Sequence, residues 1–175
     1  VSLPGRVDDT GRLVFAPNLR WEGMELRQPI ERAVGLPIVL ENAASACAFA
    51  QVCYDEALDW ARARQTFGAA LVSHQAIRHK LMDMRMRLAS TRAWLHALVA
   101  RQEDGDTGAE WVAELCLLKN HATQTMQFCA DQAVQILGGM GFMRGTKCER
   151  IYREVKVMMI GGGAEEIMKE LAARQ

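Results

Sequence analysis

Proline is scarce in this chain: Pro4, Pro17, Pro29 and Pro37 are all of it, and none follows residue 37. Proline lacks an N–H and its ring meets the preceding helical turn, so a helix interior excludes it. The stretch beyond residue 37 is therefore open to long helices, and the composition breaks near residue 45. Net charge is also lacking, with 21 basic residues against 21 acidic ones. That balance gives no reason to expect nucleic acid or an anionic membrane surface as partner. No apolar run approaches the roughly 18 residues of a membrane span. No charged segment followed by an apolar stretch marks a secretory signal, so a cytoplasmic setting is expected. The five cysteines (Cys47, Cys53, Cys116, Cys129 and Cys148) are scattered and form no CxxC pair. Zinc-ligand spacing is absent, and buried free thiols are the expectation. The first residue is Val1 rather than Met, which suggests a processed, trimmed or partial chain.

Half the residues are hydrophobic, enough for a real core. The first part reads as mixed. RLVFA (12–16) is a short strand candidate between the turn-forming DDTG and PN. MELRQPIERAVG (24–35) reads as a helix ending at Gly35, and LPIVLEN (36–42) as a buried strand. Beyond it, small and apolar residues recur at helical spacing from about Ala44 to Arg64, with a break at Phe67-Gly68. Ile77, Leu81, Met84, Leu88, Leu95 and Leu98 form the stripe of a second helix, closed by QEDGDTG (102–108). Val112, Leu115, Leu118, Ala122, Met126, Cys129, Ala133 and Ile136 do the same for a third, stopped at Gly138-Gly139. A short helix is predicted over Lys147–Val155. Gly161-Gly162-Gly163 then precedes a last helix with Glu165 and Glu166 in its first turn, where the dipole favours acids. Helices joined by short turns imply a mainly α fold, a four-helix bundle preceded by a short mixed α/β segment.

Four segments at the helix ends carry more than periodicity: ARARQTFG (61–68), HQAIRHKL (74–81), AVQILGGMGFMRG (133–145) and ERIYREVKVMMIGGGAEEIMKEL (149–171). In this order and spacing they resemble the C-terminal domain of the acyl-CoA dehydrogenase family, over about Ser45 to Gln175. The resemblance implies an FAD-dependent oxidoreductase of fatty acid metabolism that desaturates an acyl-CoA thioester. It also implies an electron-transfer flavoprotein as partner and a homo-oligomer, dimer or tetramer. By the same resemblance Arg64 contacts the FAD pyrophosphate of a neighbouring subunit. Phe67 packs on that cofactor with Thr66 beside it, and Gln75 lies near the adenosine end. Gln135, Gly138 and Gly139 hold FAD from the partner's side. The turn from Gly161 to Glu166 faces flavin and thioester.

The residue types suit those roles. A diphosphate is matched by a guanidinium and bare backbone N–H groups, glycine lets the backbone come close, and an amide bonds with either sign. Singly, each has a plainer reading: a solvated arginine for Arg64, surface amides for Gln75 and Gln135, a helix stop for Gly138-Gly139. Other candidates fall to the plain reading. His74 and His79 are five apart and off one helical face, so they form no metal pair. Asp104 and Asp106 lack the glycine and closing Glu of a calcium loop. His96 and His121 read as packed or solvated, Met82, Met84 and Met86 as core and flank filler, and Glu170 with Arg174 as an i,i+4 pair.

A base is missing. In the family reaction a carboxylate removes the proton α to the thioester while flavin takes a hydride from the β carbon. The family keeps that Glu in one of two places. One corresponds to Gly162 here and the other to Ile38, beside Val39. Neither takes a proton. Glu41, one helical turn on, is a weak substitute.

The segment that should carry the second base has another likeness. VSLPGRVDDTGRLVFAPNLRW (1–21) and ELRQPIERAVGLPIVLEN (25–42) resemble a piece of the ROK sugar kinase and repressor family. Glu41 and Asn42 match that family's Glu-Asn-Asp, with Ala43 in place of its catalytic Asp. A junction between two genes within Ala43 to Ala50 is expected, dividing the chain into 1–43 and 44–175. Such a chain should not run the reaction alone. The alternative is a non-catalytic bundle, an assembly subunit or a fusion remnant.

Overall fold

The structure is a computed structural model that describes residues 6–7, 13–15 and 38–175. Strand β1 (Arg6–Val7) pairs antiparallel with β2 (Leu13–Phe15), and the register shifts between Arg6 and Val7. The strand expected at 12–16 is thus present, and the helix expected at 24–35 lies outside the described residues. The buried strand expected over 36–42 is incorrect. Residues from Ile38 onward form the first turns of helix α1 (Ile38–Ala63). The apolar run continues directly into the buried stripe Leu40, Ala43, Ala46, Ala50, Cys53, Ala57 and Ala61. These steps of three and four residues set a helical period, which outweighs the β propensity of a short Ile-Val-Leu run. Helix α1 continues unbroken through the expected boundary at residues 43–44.

A hairpin of β3 (Gln65–Thr66) and β4 (Ala69–Ala70) follows, then a single 3-10 turn over Leu71–Ser73. Helix α2 spans Gln75–Glu103 and α3 spans Ala109–Leu137. A one-turn helix α4 (Gly139–Phe142), then α5 (Lys147–Ile160) and α6 (Glu165–Ala173) complete the chain. Helix α5 runs past the predicted end at Val155, because Val155 and Met159 keep its buried face going.

Helix α3 is the centre, in contact with α1, α2, α5 and α6. Its alanines and those of α1 let the two backbones come close, and α1 with α3 is the most extensive pairing. Helix α2 buries only Leu81, Met84, Leu88, Thr91 and Leu98. Met82 and Met86 flank that stripe in solvent. Cross-contacts give the helix directions. Lys80 Nζ donates to Gln132 Oε1 at 2.7 Å, which joins the start of α2 to the end of α3. The N–H groups of Lys147 and Cys148 donate to the Glu56 carboxylate at 3.1 and 2.7 Å, which puts the start of α5 at that same end. Lys119, near the start of α3, meets Met159 at the end of α5. The bundle is up-down-up-down. All five cysteines are free and buried, as expected.

Candidate functional site

The motif segments lie at the two ends of the bundle. At the first end, α1 closes with Arg64, whose N–H donates to Trp60 O and whose carbonyl accepts from Leu71 N–H, both at 2.8 Å. Thr66 pairs with Ala69, leaving Phe67-Gly68 as a two-residue hairpin loop. Both loop residues have positive φ, 51° and 80°. This is the backbone of a primed hairpin turn, in which Asn-Gly or Gly-Gly is the usual pair. Phe67 is the only non-glycine among the described residues with positive φ, and it is 100% exposed. An aromatic held in that conformation costs about 1 kcal/mol or more, and burial returns nothing to it here.

The loop is braced by His74, the N-cap residue of α2. Its Nε2 lies 3.2 Å from Thr66 Oγ1 and 3.3 Å from the Thr66 carbonyl. Its ring meets the Phe67 ring edge-on at 6.0 Å. This bracing role was missed in sequence, where His74 was weighed only as a metal ligand. The eight-residue separation of Thr66 and His74 across a hairpin was the available signal. Gln75 opens α2, exposed, beside this brace.

The same end holds the close of α3. Gln135 is exposed in its last turns, and Gly138 ends it with φ 61°. A Cβ would meet nothing within 4 Å at Gly138 or Gly139, so the backbone there stands open. The sterically required glycine is Gly141, where a Cβ would strike the Val134 carbonyl. Phe142 next to it is 86% exposed. Among the described residues, the side chains of Arg64, Gln75 and Gln135 make no hydrogen bond or ion pair with one another or with the bundle.

The other end carries the turn Gly161–Glu165. Gly162 and Gly163 have φ of 71° and 114°. A Cβ at Gly162 would overlap the Asn42 side-chain amide, and one at Gly163 would overlap the end of Met168. The space that a side chain at residue 162 would need is therefore filled by Asn42 from α1. Ile38 opens that same helix. Glu41 is half-buried and accepts from Ser45 Oγ at 3.5 Å. Glu165 Oε2 accepts from Gln124 Nε2 at 2.9 Å, while Glu166 is exposed.

Lys119 and Asn120 also reach this turn, and neither was singled out in sequence. Lys119 is fully buried, and its Nζ donates to Met159 O at 2.8 Å and Gly163 O at 2.5 Å. Burial pulls its ammonium down to about 8, against an opposing pull from Glu165. Asn120 Nδ2 donates to Glu165 O at 2.9 Å. A lysine on an otherwise apolar helix face was the only trace of this.

Arg64, Thr66, Phe67, Gln75, Gln135, Gly138 and Gly139 thus share one end, and Gly162, Glu41 and Glu166 the other. The 22 residues of α1 from Asn42 to Ala63 separate the two by about 33 Å at 1.5 Å per residue. No group of three or more His, Cys, Asp or Glu side chains forms a metal site among the described residues. No helix there is long and apolar enough to cross a membrane.

Comparison with known proteins bears on the family and the fold. The family model described as acyl-CoA dehydrogenase, C-terminal domain matches residues 40–175, and that of the ROK family matches residues 1–63. The mitochondrial short-chain specific acyl-CoA dehydrogenase of Bos taurus is 35% identical over 178 aligned positions, covering 96% of this chain and 41% of that protein. The crystal structure of a putative acyl-CoA dehydrogenase from Mycobacterium smegmatis superposes with a TM-score of 0.75 at 40% identity, over 78% of this chain and 35% of that one. Butyryl-CoA dehydrogenase from Megasphaera elsdenii, at 24% identity, shares the fold with a TM-score of 0.74, over 78% of this chain and 35% of its own. The chain spans well under half the length of these relatives. With that family-model match over residues 40–175, the chain belongs to the acyl-CoA dehydrogenase family, as its C-terminal domain.

Proposed function

We propose that residues 44–175 are the cofactor-clasping third of an FAD-dependent acyl-CoA dehydrogenase. The carrying observation is the Phe67 hairpin: an exposed aromatic at φ 51°, braced by His74 and placed one turn past the unpaired Arg64. Strain on a surface loop persists where an occupant uses it. The donor set fits FAD. Arg64 would take the diphosphate, Gln75 and Gln135 would bond polar edges, and the open backbone at Gly138-Gly139 admits close approach. When bound, the flavin would supply the hydride acceptor for α,β-desaturation of an acyl-CoA thioester.

The chain's own residues would bind and orient but not remove the α proton. Asn42 fills the space a side chain at residue 162 needs. Ile38 has no proton-accepting group, and Glu41 faces Ser45. Activity would therefore need a carboxylate from another domain or subunit. The two ends of the bundle lie too far apart for one cofactor on one chain to reach both Arg64 and Glu166, which favours sharing between copies of the chain. Self-association into a dimer or tetramer, and an electron-transfer flavoprotein as electron acceptor, are parts of this reading. The buried unpaired thiols suit a reducing compartment such as the cytoplasm.

The absent base favours a second reading, a non-catalytic assembly subunit. Flavin fluorescence of the purified chain titrated with FAD separates the two. The first reading expects quenching with a Kd weakened about tenfold by Arg64→Ala, the worth of one charged contact. A self-associated chain that neither quenches FAD nor responds to acyl-CoA supports the second.

A further inference from the structure

Lys119 is fully buried, and its two bonded partners are main-chain carbonyls. One is Met159 O in the last turn of α5 and the other is Gly163 O beyond it. The last carbonyls of a helix have no intrahelical donor, and the negative end of the dipole lies there, so a cation is the matching group. The next residue, Asn120, takes the Glu165 carbonyl at 2.9 Å, and Gln124 takes the Glu165 carboxylate at 2.9 Å. One face of α3 thus grips both sides of a reversal whose two central residues, Gly162 and Gly163, have no side chains with which to hold it. An apolar residue would fill the space at Lys119 without the desolvation of an ammonium. What the lysine adds is two directed bonds, one to the end of α5 and one to the turn.

We infer that Lys119 is the positioning residue of the Gly161–Glu165 turn, clamping α5 to the reversal so that the backbone at Gly162 and Gly163 is presented in one conformation. It acts through the turn and touches no reacting atom. Its functional consequence rests on the proposed function, in which this turn faces flavin and thioester.

The test is amide hydrogen exchange on the full chain, with Lys119→Met as a length-matched apolar variant and urea unfolding as a control. The turn amides to follow are Gly161, Gly163 and Met168, which donate to Val157, Ile160 and Ala164. In Lys119→Met they should exchange at least about tenfold faster, as a local opening, with the α1–α3 amides unchanged and no loss of global stability. Lys119→Arg, which keeps a cation and its donors, should restore part of the protection. If that variant does not fold, Lys119→Met decides alone. Unchanged turn exchange in Lys119→Met overturns the inference. So does equal acceleration throughout the bundle, or a folded Lys119→Arg that restores nothing. A chain that loses turn protection this way yet never binds flavin sinks the proposed function and leaves this inference standing.

Discussion

Phe67 and Gly162 show how single residues set the character of the two ends. Phe67 sits at φ 51° in full solvent, where Asn is far better tolerated. Phe67→Asn makes the preferred primed-turn pair with Gly68. It should raise stability by about 0.5–1 kcal/mol, read as a higher thermal midpoint, while weakening FAD binding. A drop in midpoint would mean that the edge-on contact with His74 outweighs the strain. At the other end, Gly162→Glu alone should destabilise the chain, because the new side chain meets Asn42 and the backbone has φ 71°. Adding Asn42→Ala should recover part of that loss. Urea midpoints of the single and double variants check this, and strictly additive effects would deny the clash. The motif residues Arg64, Phe67, Gln135 and Gly139 stood out in sequence because each lies in a short segment at a helix end. Asn42 did not, since only packing brings it against residue 162.

The helices were legible where one face is apolar. The stripes read for α2 and α3 are the ones buried, and the final helix begins where Glu165 and Glu166 suggest. The first helix was misread at its start because Ile-Val-Leu after a proline carries no period of its own. Helix α5 owes its start to a distant residue. Glu56 on α1 accepts from Lys147 and Cys148 N–H, beside the local cap of Thr146 Oγ1 on Glu149 N–H at 3.3 Å. Glu56→Ala leaves two helix-end donors without their acceptor and should lower stability by about 1 kcal/mol. Denaturant unfolding reads this, and an unchanged midpoint would show that water replaces the cap at no loss.

For the molecule as a whole, burial sets a pH dependence with opposing parts. Lys119 titrates near 8 when folded and near 10.5 when free. Between those values the unfolded chain holds more protons, so this group's contribution to stability rises with pH. The thiols act in the opposite sense. Burial pushes Cys148 up to about 11 and Cys129 up to about 12 from 9.0, so their contribution is complete below pH 9 and is lost as pH climbs through the folded values. Comparing wild type with Lys119→Met cancels the thiols. Wild type should gain about 2 kcal/mol relative to the variant between pH 7.5 and 10. Parallel pH profiles would show that Lys119 keeps its proton in its buried site as fully as it does in the unfolded chain. At this scale the exposed Val157, Ile160, Ile167 and Leu171 of α5 and α6 also matter. Sedimentation should show species larger than 19.5 kDa, and Val157→Lys with Ile160→Lys should shift them toward monomer.

The sequence by itself determined the family, the helical bundle, the buried free cysteines and the absence of a carboxylate at residues 38 and 162. Each of these is local: periodicity, motif spacing or the identity of one side chain. Only the tertiary structure decided that the motif residues divide between opposite ends, that Asn42 occupies the space beside Gly162, and that Lys119 holds the final turn. Those facts depend on which helices run antiparallel and which residues come together across 40 or more positions, and contacts of that range leave no period in the sequence.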